Sequence, residues 1–368
     1  MLIAKFEDGT LCYANQYTSA ELQEIRRQHQ FYCPSCAAKV TLRVGASKIA
    51  HFAHQNKCTS GNEGETSEHL AGKLFLFGYC QRQGWTCALE AFLPKLQQRP
   101  DILVTLPQVK IALEFQCSPI SIKQLYKRTE MYRQNGYQVY WLLGRRYHDL
   151  RHWSAKKRAF LRYSKQAGFH LFLLEAVQKR LWLVHHVRQY GVPIKVSYQR
   201  QRFLDNSFVV TNHRPPANAV VIEAQTIYKQ LYRGAPNVQG LQATCYLAGH
   251  HLAGAPWACH STWPTPPVHR ESAFNLRVRL LLFCEKKVEL TDVQVTSFCR
   301  QHKPCFFELP LLTKTQRNYW QQQVVRLLLA EFSQFGFLKR TIFGWQICCL
   351  PIWYPDYFSK LKMLKRLE

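Results

Sequence analysis

Between Arg99 and Gln116 the chain reads RPDILVTLPQVKIALEFQ, two apolar runs either side of a turn at Pro107-Gln108. Each run carries an acid: Asp101 precedes Ile-Leu-Val, and Glu114 follows Ile111-Ala112-Leu113. A carboxylate in such surroundings is costly to bury unless it is paired or bound to a metal. Side chains alternate along a strand, so Ala112, Glu114 and Gln116 point one way and Ile111, Leu113 and Phe115 the other. A hairpin centred on Pro107-Gln108 sets Asp101 opposite Glu114, and like charges directly opposite each other destabilise a strand pair. A divalent cation between them removes that penalty. The plainer alternative, a surface hairpin with solvated acids, is disfavoured by the apolar neighbours on both faces.

A second set of residues has metal-ligating types. Cys33-Pro34-Ser35-Cys36 is followed by His51-Phe52-Ala53-His54, with Cys58 beyond. Cys33, Cys36, His51 and His54 make a tetrahedral set for a structural Zn²⁺, with Cys58 as the alternative to His54, or with His51 in a structural role instead. The stretch Val40-Thr41-Leu42-Arg43-Val44, then Gly45, reads as a strand and turn that brings the histidines back. A redox role for the CxxC fits less well, because no thioredoxin-like βαβ pattern surrounds it. Cys299-x2-His302-x2-Cys305 and Cys259-His260 lack a matching half. Cys348-Cys349, in an apolar run, read as small core residues.

Three regions position these residues. Residues 1–60 read as a β-rich zinc-finger-like module: a hairpin turning at Asp8-Gly9, a helix over 20–28 capped by Thr18 or Ser19, short strands and the Cys/His cluster. A polar, Gly-containing stretch over 59–65 separates it from residues 61–146. There the pattern is a helix over 67–83, three strands, a helix over 122–135 ending at Gly136, and a buried strand over 137–143, a mixed α/β order. Leu70, Leu74, Phe77 and Cys80 share a face of the first of these helices. Residues 147–368 read as a basic, largely helical region, with helices over 155–165 and 318–335 and a Pro-rich loop at 263–267.

The net charge of +26 is unevenly spread: residues 1–117 carry +2 and residues 118–368 carry +24. A basic protein of this kind meets a polyanion, nucleic acid first. An anionic membrane surface is second, but no basic amphipathic anchor supports it. Arg145, Arg146, Arg151, Lys156, Lys157 and Arg158 are interleaved with Tyr147 and Trp153, a mix suited to phosphate contacts and to stacking on single-strand bases. A solvated basic helix is the alternative. No apolar run is long enough to span a membrane, and Lys5, Glu7 and Asp8 interrupt the opening residues as no signal peptide would. A cytoplasmic setting is therefore expected, in which the 14 cysteines serve as free thiols or metal ligands.

The order helix, three strands, helix, strand, with Pro100-Asp101 on one strand and Glu114-Phe115-Gln116 on the next, is similar to the PD-(D/E)xK nuclease superfamily. That resemblance implies an α-β-β-β-α-β core in which Asp101, Glu114 and the main-chain carbonyl of Phe115 hold Mg²⁺ or Mn²⁺. It also implies a third acid from the first helix, for which Glu68 is the candidate. An acid favoured by the dipole of a helix start is the other reading of Glu68. Gln116 stands where the superfamily usually has lysine; it can orient water but carries no charge, and Lys123 or Lys127 would have to supply one. Together, CPSC with HFAH, SEHLAGK, RPDI and EFQCS resemble the competence protein CoiA-like family of naturally transformable Gram-positive bacteria. The resemblance implies a nuclease-like protein that binds and processes incoming DNA, single-stranded, in the cytoplasm during transformation, with recombination proteins as possible partners. It also implies that EFQ is the family's own form of the motif. Two alternatives stand beside this: a catalytically inactive DNA-binding accessory factor, and a protein-interaction scaffold docking through the zinc module.

Overall fold

A computed structural model describes residues 1–45, 48–54, 66–203, 216, 218–261 and 263–364; Cys58 and the 59–65 stretch lie outside these. The chain is mixed α/β and divides into two compact units. The first comprises Met1–Phe160, Leu171–Val184 and Arg200–Ser207, and the second Leu161–His170, His185–Gln199 and Phe208–Glu368. Among the described residues no helix is long and apolar enough to cross a membrane.

The first strands, β1 (Ile3–Lys5) and β2 (Leu11–Tyr13), form the expected hairpin, with Gly9 in its turn at φ +86°. A helix, α1 (Ser19–Gln28), follows, fixed at its start by a Thr18–Glu21 capping box. Then come β3 (Phe31–Tyr32), β4 (Lys39–Arg43) and β5 (His51–His54), giving a five-stranded sheet in the order β2-β1-β3-β4-β5. Phe31, Val40, Leu42 and Phe52 are buried in its core.

The next elements are α2 (Ser67–Arg82), β6 (Thr86–Leu89), β7 (Ile102–Leu106), β8 (Val109–Gln116), α3 (Ile122–Gln134) and β9 (Tyr137–Leu143). β7 and β8 pair antiparallel in the expected register, Ile102 opposite Leu113 and Leu106 opposite Val109. β9 runs parallel to β8, as a connection through a helix allows. The buried stripe of α2 is Leu70, Gly72, Lys73, Leu76 and Cys80, rather than the expected Leu70, Leu74, Phe77 and Cys80. A lysine belongs to that stripe because Glu90 meets it inside.

Residues 147–202 differ from the helical expectation. They hold one short helix, α4 (Ala155–Arg158), and four strands, β10 (Arg162–Ser164), β11 (Gly168–Glu175), β12 (Arg180–Tyr190) and β13 (Lys195–Arg202). β11 pairs parallel with β9, so the sheet continues to eight strands in the order β13-β12-β11-β9-β8-β7-β6, with β10 on β11. Short buried runs such as FHLFLLE do not distinguish strand from helix by periodicity, and here length and pairing decide.

Helices dominate the remainder: α5 (Ala219–Tyr232), α6 (Pro236–Leu247), α7 (Ala273–Cys284), β14 (Glu289–Thr291), α8 (Asp292–Gln301), α9 (Lys314–Gln334), β15 (Leu338–Thr341), β16 (Gly344–Ile347) and α10 (Tyr357–Leu364). The expected helix over 318–335 is the body of α9. Cys348 and Cys349 are exposed, not core, because the chain leaves the small sheet directly after β16.

Candidate functional site

Asp101 stands one residue ahead of β7 and is buried. Its Oδ2 accepts from the Phe115 amide at 2.7 Å, taking the place of the next ladder acceptor, and lies 3.2 Å from His69 Nε2 on α2. Burial raises this carboxyl, but the nearby His69 and Lys73 and the Phe115 N–H outweigh it and hold it at about 2. Glu114 on β8 is buried too, and its Oε1 accepts from Arg128 Nη2 at 2.5 Å and from the Tyr132 hydroxyl at 2.6 Å. Burial pushes Glu114 up, Arg128 draws it down, and the charge of Asp101 pushes it up again.

The two acids are therefore electrostatic neighbours that turn to different helices, Asp101 to α2 and Glu114 to α3. The sequence reading set them directly opposite each other on one face. Asp101 falls just outside the paired strand, where its side chain closes the ladder instead. The cation at Glu114 is Arg128, whereas Lys123 and Lys127 are exposed. Sequence reasoning missed Arg128 and Tyr132; the available signal was their i,i+4 spacing on the helix after the acidic strand. Gln116 is buried, and its Nε2 donates to Ser118 O at 2.8 Å and lies 3.2 Å from Ser118 Oγ, so its amide is fixed with the carbonyl oxygen outside these bonds.

Glu68 also lies at this end of the sheet. Its Oε1 accepts from the Arg145 amide at 2.6 Å. Burial together with the charges of Glu68 and Asp101 pushes the Cys117 thiol far up, which puts all three groups in one neighbourhood. Gly144 makes room for them: a Cβ there would lie 2.8 Å from Glu68 Oε1 and 2.9 Å from Cys117 Sγ. Deeper along α2, Lys73 pairs with Glu90, both almost fully buried. Glu90 also accepts from the amide of Leu2 at 3.0 Å, so the start of the chain is tied to the sheet through a carboxylate that sequence reasoning did not single out.

In the N-terminal sheet the ligand atoms of Cys33, Cys36 and His54 all lie within 4.8 Å of one another. The Ser35 amide lies 3.4 Å from Cys33 Sγ, and Ala37 takes φ +56° as the chain turns back after Cys36. His54 Nε2 is buried without a hydrogen-bond partner, as suits a nitrogen left for a metal. His51, expected as a ligand, is not in this group; its Nδ1 lies 2.9 Å from Ile49 O. The reason is period-two geometry: residues three apart on β5 face opposite sides, so only one histidine of HFAH can join the cysteines. The donor set fits Zn²⁺, and Cys58 falls outside the described residues.

The basic segment divides. Arg145, Arg146, Arg151 and Lys156 are exposed, with Arg151 paired to Asp149 at 3.0 Å. Lys157 and Arg158 are buried, contrary to expectation. Lys157 Nζ donates to the carbonyls of Asp149 and His152, and Arg158 Nε to that of Trp153 at 3.2 Å, so both cations hold the chain that enters α4. Tyr147 is buried against Phe160, with ring centres 5.4 Å apart.

Residues 65–212 match a family described as competence protein CoiA, nuclease-like domain, and residues 14–61 match competence protein CoiA, N-terminal domain. The chain is similar to competence protein CoiA of Bacillus subtilis (strain 168), at 30% identity over 196 residues, 52% of this chain and 47% of that protein. It thus spans about half the length of the curated relative it matches. No solved structure matches the chain.

Proposed function

This chain belongs to the competence protein CoiA family, and from that premise we propose that it is a metal-dependent nuclease-like protein with a PD-(D/E)xK-type core. On this reading it binds and cleaves DNA taken up during transformation, in the cytoplasm and in single-stranded form, in concert with recombination proteins. The observation that carries the reading is the hairpin register. Pairing of Ile102 with Leu113 brings the start of β7, with Asp101, beside the end of β8, with Glu114 and Gln116, between one helix before and one after. Asp101 Oδ1 and Glu114 Oε2 take no part in the bonds described above. These oxygens, with the main-chain carbonyl of Phe115, would hold Mg²⁺ or Mn²⁺. Such an ion supplies charge stabilisation at the scissile phosphate and makes bound water more acidic.

The chain's own residues do the rest. Gln116, its nitrogen held by Ser118, offers an oxygen that orients a water but takes no proton. Glu68 adds a carboxylate to the same end of the sheet. Arg128 and Tyr132 fix the Glu114 carboxylate on the α3 side and limit its freedom. Zn²⁺ on Cys33, Cys36 and His54, with Cys58 proposed as the fourth ligand, would be structural. Residues 1–60, 61–146 and 147–368 are proposed as zinc module, nuclease-like region and basic region, with Arg145, Arg146, Arg151 and Lys156 meeting phosphate.

A second reading, a DNA-binding accessory factor without catalysis, is favoured by one observation: Glu114 is already paired with Arg128. Titration of Mg²⁺ and Mn²⁺ into the intact protein, read by calorimetry and by cleavage of labelled single strands, separates the two. The nuclease reading expects metal binding and cleavage that are both lost in Asp101→Ala, with DNA binding equal or tighter because a charge that repels phosphate is gone. Gln116→Lys should preserve or raise cleavage. Cleavage undiminished in an Asp101→Ala, Glu114→Ala double variant removes this site from the mechanism. Binding without metal-dependent cleavage in the wild type selects the accessory factor.

A further inference from the structure

Residues 273–347 carry a pattern that the nuclease-like reading does not use. In chain order they form α7, β14, α8, α9, β15 and β16. The small sheet has the order β14-β16-β15, so the first strand joins the far strand of the hairpin: Leu290 lies opposite Trp345 and Thr291 opposite Gly344. α7 packs on α8 through Phe283 and Phe298, ring centres 5.3 Å apart, and on α9 through Arg277 and Glu331 at 2.7 Å. Leu290, Val295, Phe298, Val324, Val325, Leu328, Leu329, Phe332 and Trp345 are all buried in these elements. Helix, strand, two helices and a hairpin, with that strand order, is the topology of a winged helix-turn-helix, in which the last helix and the hairpin share one DNA-facing side. The connection between α8 and α9, residues 302–313, is longer than the few-residue turn of the minimal motif.

What this unit exposes agrees with that topology. On the first turns of α9, Lys314, Thr315, Asn318 and Tyr319 are exposed. On the hairpin, Lys339, Arg340 and Thr341 lead to Ile342 and Phe343, 91% and 78% exposed at the tip. At that exposure the Ile-Phe pair contributes little to the buried core. The Arg340 guanidinium lies 5.0 Å above the Trp345 ring, which sets its direction. Of the module's acids, Glu331 is paired with Arg277, Asp292 with Arg326 at 3.1 Å and Glu285 with His250 at 3.1 Å, while Glu289 and Glu308 are exposed. Trp320, 4.5 Å from the Tyr163 ring and 4.9 Å from that of Phe169, fixes the first half of α9 against the β10–β11 hairpin.

We propose that residues 273–347 form a second DNA-binding site, a winged-helix module that takes duplex DNA with the first turns of α9 in the major groove and the Ile342-Phe343 tip against the adjoining bases. Phosphate contacts come from Lys314, Lys339 and Arg340. The aromatic and aliphatic tip supplies the apolar wedge that partly unstacks a base step. Duplex is favoured over a single strand because a helix and a hairpin set side by side match successive grooves of a double helix. The module includes neither Asp101 nor Glu114, and the proposal stands whether or not those residues cleave.

The test uses the full chain without added divalent metal, with a fluorescein-labelled duplex and one of its strands as separate probes, read by anisotropy across a salt series. Lys314→Ala combined with Lys339→Ala should weaken duplex binding about tenfold or more at moderate salt and reduce the salt slope by about 2. Phe343→Ala should weaken duplex binding about tenfold with the salt slope unchanged, since stacking, not charge, is removed. Melting temperatures should not move, because every altered side chain is exposed. A charge-matched control, Lys39→Ala with Lys110→Ala, should bind as wild type does. Wild-type duplex affinity in both test variants, or an equal loss in the control, overturns the proposal. So does a Phe343→Ala effect confined to the single strand.

Discussion

Lys73 and Glu90 form a buried ion pair, and breaking such a pair costs about 3–5 kcal/mol, here toward the lower end because Arg99 lies 3.8 Å from the Glu90 carboxylate and keeps part of its charge compensated. Lys73→Met should therefore lower the stability of the protein by about that amount, measured by urea unfolding. Glu90→Leu in the same chain should not restore it fully, because Glu90 also accepts from the Leu2 and Ile3 amides. Asp101 differs in that its effect depends on pH. Its folded value lies below the ordinary 3.8, at about 2, so its stabilisation is present above 3.8 and is lost as the pH falls through the interval to 2. Asp101→Asn should lower stability at neutral pH and flatten the acid limb of a melting-temperature profile over that interval. A variant with an unchanged acid limb would show that His69 and the Phe115 amide do not hold the carboxylate as described. Gly72 is a steric case: a Cβ there would lie 2.1 Å from the Phe115 ring. Gly72→Ala should destabilise by about 1–3 kcal/mol through overpacking, despite alanine's better helix propensity.

At the scale of elements, the hairpins at Asp8-Gly9 and Pro107-Gln108, α1 with its cap, α3 ending before Gly136 and the hairpin register follow from local signals: turn residues, capping pairs and period-two alternation. What could not be read was decided by distant partners. Lys73 joins the buried stripe of α2 only because Glu90, seventeen positions on, comes back to it. The strands after 147 carry Leu and Phe on both faces, and only pairing with β9 settles their type. His51 was misassigned because ligand spacing was weighed without the strand's alternation. The Cys33, Cys36, His54 group is coupled to its surroundings: Cys33 Sγ lies 3.9 Å from Met1 Sδ, and the Met1 ammonium donates to Phe52 O at 2.9 Å. If zinc is held there, chelation should raise amide exchange first across β3, β4 and β5. Because Glu90 holds the Leu2 amide, the increase should extend to β1 and then to the β6–β7 end of the large sheet. Exchange confined to residues 31–54 would show that the N-terminal sheet is energetically independent, and unchanged exchange would show that no metal supports it.

For the whole molecule the dominant property is the +24 on residues 118–368. A truncation near 117 cannot assign it, because the cut would part β8 from β9 within one sheet. Charge substitutions in the full chain can, provided exposed cations are distinguished from buried ones. Arg145, Arg146 and Lys156 are exposed, whereas Lys157 and Arg158, next in sequence, spend their donors on backbone carbonyls. Each cation withdrawn from a phosphate reduces the slope of log affinity against log salt by about 0.9 on duplex and about 0.7 on a single strand. Replacing Arg145, Arg146 and Lys156 together by alanine should therefore lower the single-strand slope by about 2, weaken binding at moderate salt and leave the melting temperature in place. Lys157→Ala and Arg158→Ala should do the reverse. They should destabilise by about 1–3 kcal/mol through carbonyls left without donors, with the salt slope unchanged at temperatures where the variants remain folded. If Lys157→Ala instead lowers the slope and spares stability, its ammonium faces phosphate and the burial described for α4 does not hold in solution. If the exposed triple leaves the slope untouched, DNA lies elsewhere on the basic region, and the α9 and hairpin face becomes the surface to which the charge must be assigned.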